Sequence, residues 1–341
     1  MFTRTRNRCL VLVLGSVLVL IGFIFGANNG VAKEVDTITT KAGEKYPTKM
    51  INVVCWGKEG ASCDLTTRTM SHGLEKETGQ RIIVENRTGG RGANAWSRVL
   101  SQPADGYTIL GATSSYCLWM AGRKKFSPDQ FTPLVSYVCD PTCIYVRADS
   151  QFKNLDQLIK YAKTGTEKLD FGANIVGSTH NWHAWSFAKE IVGDTGRFRW
   201  VPYKSNKEIV MAVIGGHVDL GIASRSNVLP QYEAGKIRIL AVASKNRGLG
   251  AVAKVPTFKE LGYDLELYIW RGMWIRSGTP EEIVDYLHNK FRKVTKRPEV
   301  IEWRKRYQMD DFYMERQKLG KLVKNCLVQG LEYNRELGLV K

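Results

Sequence analysis

Met50-Ile51-Asn52-Val53-Val54-Cys55-Trp56 runs into Gly57-Lys58-Glu59-Gly60-Ala61-Ser62-Cys63-Asp64, and a helix-like stretch then continues to Gly79. The first seven residues are apolar enough for a buried strand, the next eight form a polar, glycine-bearing turn, and the glycine stops the helix. The same order follows again. Arg81 to Val84 reads as a strand, Glu85-Asn86-Arg87-Thr88-Gly89-Gly90-Arg91-Gly92 as an open turn, and Ala93 to Leu100 as a helix. After the loop Pro103-Ala104-Asp105-Gly106, Tyr107 to Ala112 is a third strand. Strands that alternate with helices make a mostly parallel sheet covered on both faces, the α/β class. A helix N-terminus behind small residues offers unpaired backbone N–H groups and the positive end of a dipole, so each turn is a candidate anion site.

The pattern resumes further on. Leu134–Val138 and Thr142–Val146 read as two extended runs, and Cys139 and Cys143 could be bridged only if Asp140-Pro141 between them makes a true turn. A helix starting at Asn154 opens a second lobe. There the strand Leu169–Gly172, the turn Gly177-Ser178-Thr179-His180, a helix to Val192, Arg199–Tyr203, a helix closing at Gly215-Gly216, Val218–Ile222 and Ile237–Ala243 follow in order. Thr279 is expected to cap a helix with Pro280 at its first position and acids in its first turn, and the remainder to Lys341 reads as mainly helical. At 341 residues the chain suits two lobes of roughly 100 to 200 residues each.

Arg4, Arg6 and Arg8 precede an apolar stretch from Cys9 to Phe25 and the small-residue step Gly30-Val31-Ala32, as in a secretory signal spanning residues 1–32. The stretch is long for a signal core, so an uncleaved N-terminal anchor is the alternative. Either places the folded part outside the cytoplasm. The formal charge is +17, and +14 once the three arginines of residues 1–32 are set aside. Such a balance favours small anions or an anionic surface. Nucleic acid is not expected, since the cations are scattered without a basic arm or a basic-aromatic platform. Six cysteines remain beyond Cys9, and Cys139 with Cys143 or Cys55 with Cys63 are the candidate pairs; buried free thiols are the alternative.

Ser178 and Thr179 stand where a strand enters a helix in the second lobe, opposite the first two turns, so a ligand between the lobes would touch all three. Ser178 is equally suited to being a plain helix cap. Thr113, Ser114 and Ser115 follow the third strand at its carboxyl end, where open α/β sheets bind ligands, although a Thr-Ser-Ser run is also an ordinary turn. Gly90-Arg91-Gly92-Ala93-Asn94-Ala95 has dinucleotide spacing, but the junction before it is polar and no acid ends a strand about twenty residues on, so no nucleotide cofactor is expected. His180 and His183 have the spacing of metal ligands on one helix face; without a third ligand nearby they read as packing beside Trp182 and Trp185, and no metal is expected. No nucleophile, base and acid share a catalytic context, so no enzyme activity is expected. Trp56, Trp119, Trp182 and Trp185 suit either an aromatic-acid pocket or the core.

The stretch from about Tyr46 to Leu339 resembles the Bug family, the periplasmic substrate-binding proteins of tripartite tricarboxylate transporters. The resemblance rests on Ile51–Val54 before Gly60–Asp64, on Val84-Glu85-Asn86-Arg87-Thr88-Gly89, Ala104-Asp105-Gly106-Tyr107-Thr108, Val201-Pro202-Tyr203-Lys204, Gly215-Gly216-His217-Val218-Asp219, Val255-Pro256-Thr257-Phe258 and Gly278-Thr279-Pro280, in that order. It implies a two-lobed Venus-flytrap fold, each lobe a mixed, mostly parallel sheet flanked by helices, with lobe 1 formed by 46–145 plus 267–341 and lobe 2 by 146–266. It further implies a monomeric, extracytoplasmic receptor that takes a carboxylate or dicarboxylate through backbone amides, loop hydroxyls and water, and delivers it to membrane permease subunits. By position, Gly60, Ala61, Ser62, Asp64, Thr113, Ser114, Ser178, Thr179 and Asn181 would meet the ligand. The family's aromatic and Pro-Gly-Gly of the first turn are replaced here by Gly57, Glu59 and Gly60-Ala61, Thr88 and Arg91 stand where Pro and Gly are usual, and Ser205 replaces a Gly after Tyr-Lys. These changes bear on the ligand more than on the fold, and Arg91 could meet a second carboxylate. The rival expectation is a protein of the same fold that reports its ligand to a membrane sensor.

Overall fold

The computed structural model describes residues 34–122 and 125–340. The expected leader, residues 1–32, lies outside them. A short ribbon of β1 (Ile38–Thr39) and β2 (Lys45–Tyr46) comes first. Then β3 (Ile51–Cys55), α1 (Ser62–Thr78), β4 (Ile82–Asn86), α2 (Ala93–Leu100), β5 (Thr108–Thr113) and α3 (Ser115–Met120) follow within a residue or two of where local pattern puts them. Gly79 ends α1 in the left-handed conformation, φ 72°, and its amide closes the last turn on the Glu75 carbonyl.

Next comes β6 (Phe131–Arg147), 17 residues without a break. The two extended runs expected at Leu134–Val138 and Thr142–Val146 are parts of this one strand. Asp140 and Pro141 stand opposite Ile269 and Tyr268, because a second chain segment supplies partners there that local sequence does not show. Beyond it lie α4 (Leu155–Thr164), β7 (Leu169–Asn174), α5 (Thr179–Ser186), β8 (Phe198–Tyr203), α6 (Asn206–Ile214), β9 (Leu220–Ser224), α7 (Arg225–Glu233) and β10 (Ile237–Val242). The chain returns through β11 (Tyr268–Arg276), α8 (Glu281–Val294), α9 (Pro298–Arg306), β12 (Asp310–Met314) and α10 (Arg316–Glu336). Pro280, not Thr279, occupies the N-cap of α8; the Thr279 hydroxyl instead donates to the Arg276 carbonyl at 2.8 Å.

Ten strands form one sheet in the order β4-β3-β5-β11-β6-β9-β7-β8, with β10 and β12 also paired to β6. β3, β4 and β5 are mutually parallel, as are β7, β8 and β9, while β11 is antiparallel to β5 and to β6. Two half-sheets therefore share β6, whose first half pairs with β11 and β12 and whose second half pairs with β9 and β10. Each half has its own apolar cores. One half buries Ile51, Val53, Met70, Leu74 and Leu287 on one face and Trp96, Tyr116, Trp270 and Trp274 on the other. The second buries Phe171, Phe187 and Phe258 on one side and Tyr145, Ile209 and Val213 on the other.

The six cysteines among the described residues are all free thiols. No described helix is long and apolar enough to cross a membrane.

Candidate functional site

The first turn is held by hydrogen bonds within it. Gly60 adopts φ 74° and its amide donates to Asp64 Oδ2 at 2.9 Å, while the Ala61 amide donates to the Lys58 carbonyl. Asp64 is buried and also accepts from Arg68 Nε at 3.0 Å and from Asn86 Nδ2 at 2.8 Å. Burial works against this carboxylate, but Arg68, Asn86 and the Gly60 amide outweigh it and hold it below the usual range. Asp64 thus shapes the turn through these bonds. Ala61 stands at the N-cap of α1, and Ser62 projects into a cavity.

That cavity, about 450 Å³, lies where the half-sheets meet. Gly60, Ser62 and, on β11, Arg271 line it from the first half, Ser224, Ser226 and Asn206 from the second, and Asp140 from the shared β6. Arg271 was not singled out by sequence. It is 6% exposed, its Nη2 donates to Ser62 Oγ at 2.9 Å, its Nη1 meets the Met309 sulfur at 3.4 Å, and its Nε is buried with no partner. A guanidinium taken from water in this way calls for an anion, since buried charges are costly unless paired. Its signal in the sequence is a cation in the apolar run Tyr268-Ile269-Trp270-Arg271-Gly272-Met273-Trp274-Ile275.

Asp140, 1% exposed, accepts from the Ser226 hydroxyl at 2.5 Å and its amide at 3.3 Å. Burial pushes its pKa up, against the pull of Arg271 and Ser226. His180 shares the same cavity. Burial first, and the Arg271 charge second, lower its pKa to about 4, so the ring is neutral and bonds Ser224 Oγ at 3.0 Å. His183 is also buried and held well below its ordinary range, with Nδ1 2.9 Å from Thr142 Oγ1. Among the described residues no cluster of three or more His, Cys, Asp or Glu could hold a metal. A larger hollow of about 760 Å³ lies around Arg225 and Asp310, whose charges are paired with each other. In the smaller cavity Arg271 has no ion-pair partner among the described residues.

The remaining expected ligand residues lie along a seam where the halves touch directly. Ser115 and Thr179 share a hydrogen bond of 2.8 Å, Trp119 Nε1 donates to the Gly177 carbonyl at 3.1 Å, and the Gly177 amide donates to the Tyr333 hydroxyl at 3.0 Å. Asn181 Oδ1 accepts from Tyr333, and Ser178 caps α5 through the Asn181 amide. Thr113 stands opposite Arg271 in the β5–β11 pair, and the Thr113 and Ser114 hydroxyls are buried without partners. Arg91 approaches the Gly177 turn and does not line the cavity. Trp182 and Trp185 pack with Leu118 and Tyr333 in the seam, and Trp56 meets Trp119 edge-on at 5.0 Å. The structure therefore gathers Gly60 and Ser62 at the cavity with Arg271, and sets Thr179 and Asn181 into the contact between the halves.

A two-winged α/β fold with its polar cavity between the wings defines a solute-binding protein. Residues 66–339 match the model of the tripartite tricarboxylate transporter family receptor, and the chain belongs to that family. BugT of Bordetella pertussis is 29% identical over 294 residues, covering 84% of this chain and 86% of BugT. Among solved structures, a TctC solute binding protein from Polaromonas superposes with a TM-score of 0.77 at 26% identity, covering 85% of this chain and 99% of that one. An R. palustris protein solved with adipate gives 0.67 at 25% identity, with coverage of 86% and 98%. Proteins of this family are periplasmic solute-binding receptors and not enzymes.

Proposed function

We propose that this protein is exported and, as a monomer, captures a small organic anion, a carboxylate or dicarboxylate, between two lobes and delivers it to the permease subunits of a tripartite tricarboxylate-type transporter. In this reading residues 46–145 with 267–341 form one lobe and 146–266 the other. The bound ligand stabilises their closed arrangement through the contacts it makes with both. The observation that carries the reading is Arg271, a buried guanidinium with an unpaired Nε beside Ser62 in the cavity between the halves. One carboxylate would sit on Arg271, Ser62 and the first turn of α1, where the dipole adds to the attraction. Ser224, Ser226 and Asn206 would receive the rest of the molecule. Adipate in a 25%-identical neighbour supports a carboxylate cargo.

A thermal-shift screen of the mature protein tests this. A ligand that binds only the folded state raises the midpoint, by about 2.7 kcal/mol of stabilisation at a hundred times its Kd. Carboxylates are expected to do so. A screen in which neutral or cationic solutes shift the midpoint and no carboxylate does would refute the reading.

A further inference from the structure

Arg271 is not the only buried charge in the cavity. Among its lining residues Asp140 carries the opposite sign, and His180 is neutral, so the formal side-chain charge of the lining is zero. The strand register places the two charges. Ile269 stands opposite Asp140 in the β11–β6 pair, and Arg271 lies two residues further along β11. Alternate residues share a face, so Arg271 and Asp140 are diagonal neighbours on one face of the sheet, about 7–8 Å apart at their backbones. They do not pair with each other. Arg271 bonds Ser62 and Met309, and Asp140 bonds Ser226. Arg225, which also acts on Asp140, is paired with Asp310.

Each charge retains unused bonding capacity, and both residues line the same cavity. Arg271 Nε has no acceptor. The Asp140 carboxylate has room for about four hydrogen bonds and receives two, both from Ser226. Asn206 Oδ1, also lining the cavity, is buried with no donor. Among the lining residues, Arg271 therefore has an unmet donor, and Asp140 and Asn206 have acceptors with unused capacity. A simple carboxylate answers the first and leaves the second unmet, at the cost that attends any buried polar atom without a partner. A second carboxylate facing Asp140 would be repelled.

We propose that this cavity selects a zwitterion: a small amino acid whose carboxylate binds Arg271 and Ser62 while its ammonium group donates to Asp140 and the Asn206 amide oxygen. This rests on the reading of the cavity as the ligand site and narrows its cargo. Asp140 and Asn206 then set specificity, and Arg271 supplies the attraction common to all acids.

The test is calorimetric titration of the mature protein with pairs that differ only in the amine: alanine and propionate, aspartate and succinate, glutamate and glutarate. In at least one pair the amine-bearing member should bind tenfold or more tighter. Asp140→Asn keeps the shape and removes the charge, and should shrink that ratio at least fivefold; Asn206→Ala, at the partly exposed start of α6, is the second variant should the first not fold. If the amine-free members bind as well as or better than their partners, the zwitterion is refuted and the carboxylate receptor stands. If the ratio is unchanged in both variants, the assignment to Asp140 and Asn206 is overturned. If nothing in the panel binds and neutral or cationic solutes do, the reading of the site falls with it.

Discussion

Replacing Arg271 with Met should move stability and binding in opposite directions. In the unliganded protein the side chain contributes one hydrogen bond, to Ser62 Oγ at 2.9 Å, and one contact with the Met309 sulfur at 3.4 Å. A hydrogen bond to a charged group contributes about 1.5–3 kcal/mol, and Ser62 lines a cavity where water can replace the lost donor. Against that stand the buried, unpartnered Nε, which costs about 1–3 kcal/mol, and the desolvation of the charge. Buried ion groups replaced by apolar residues of similar volume are often neutral or stabilising by about 1–4 kcal/mol. Arg271→Met is therefore expected to leave unfolding free energy unchanged or to raise it by about 1–2 kcal/mol. The ligand loses its charge-assisted partner, worth about 2–5 kcal/mol when buried, so Kd should rise roughly 30-fold or more. Denaturant unfolding of the ligand-free protein and titration with the carboxylate that most stabilises the native chain measure the two effects. A variant destabilised by more than about 3 kcal/mol that binds with native affinity would show that Arg271 is a structural cation and that the anion sits elsewhere.

Three further outcomes are expected. His180 and His183 are buried as neutral rings, so the unfolded chain takes up protons that the folded one refuses; stability present above about pH 6.5 should fall as pH drops toward 4, by about 3 kcal/mol from His180 alone, and a flat denaturant midpoint across that window would contradict it. Asp64→Ala removes the acceptor for Gly60, Arg68 and Asn86 and should cost about 2–4 kcal/mol by chemical denaturation while also weakening ligand binding; a loss below about 1 kcal/mol would mean that the turn holds without it. Denatured, unreduced mature protein should take up six maleimide labels by mass, one for each free thiol, and four or fewer would reveal a disulfide.

The part of the fold that was legible in the sequence is the part made by neighbours. β3, α1, β4, α2 and β5 are set by apolar runs, glycine stops and polar turns that lie next to one another, and each formed close to its expected place. β6 reads as two shorter runs because Cys139-Asp140-Pro141 between them carries no strand-like pattern of its own. What keeps the strand extended there is the long-range pairing with Tyr268 and Ile269. β12, with two acids in Asp310-Asp311-Phe312-Tyr313-Met314, was likewise hidden, since its pairing with β6 rather than its own composition makes it a strand. The site divides the same way. Ser62 follows from a turn visible in sequence, whereas Arg271 and Asp140 acquire meaning only when two strands 130 residues apart are laid side by side.

The unbroken course of β6 limits how this receptor can open. Its ladder is occupied along both half-sheets, and the Asp140–Thr142 stretch where they meet hands directly from β11 to β9. A flexible loop swings like a door, but a strand held by rows of backbone bonds yields as a leaf spring does, by distributed twist over many residues. Loading and release would then be graded rather than snapped. Small-angle scattering with and without ligand should record only a slight change in radius of gyration, and a large one would mean that the ladder parts.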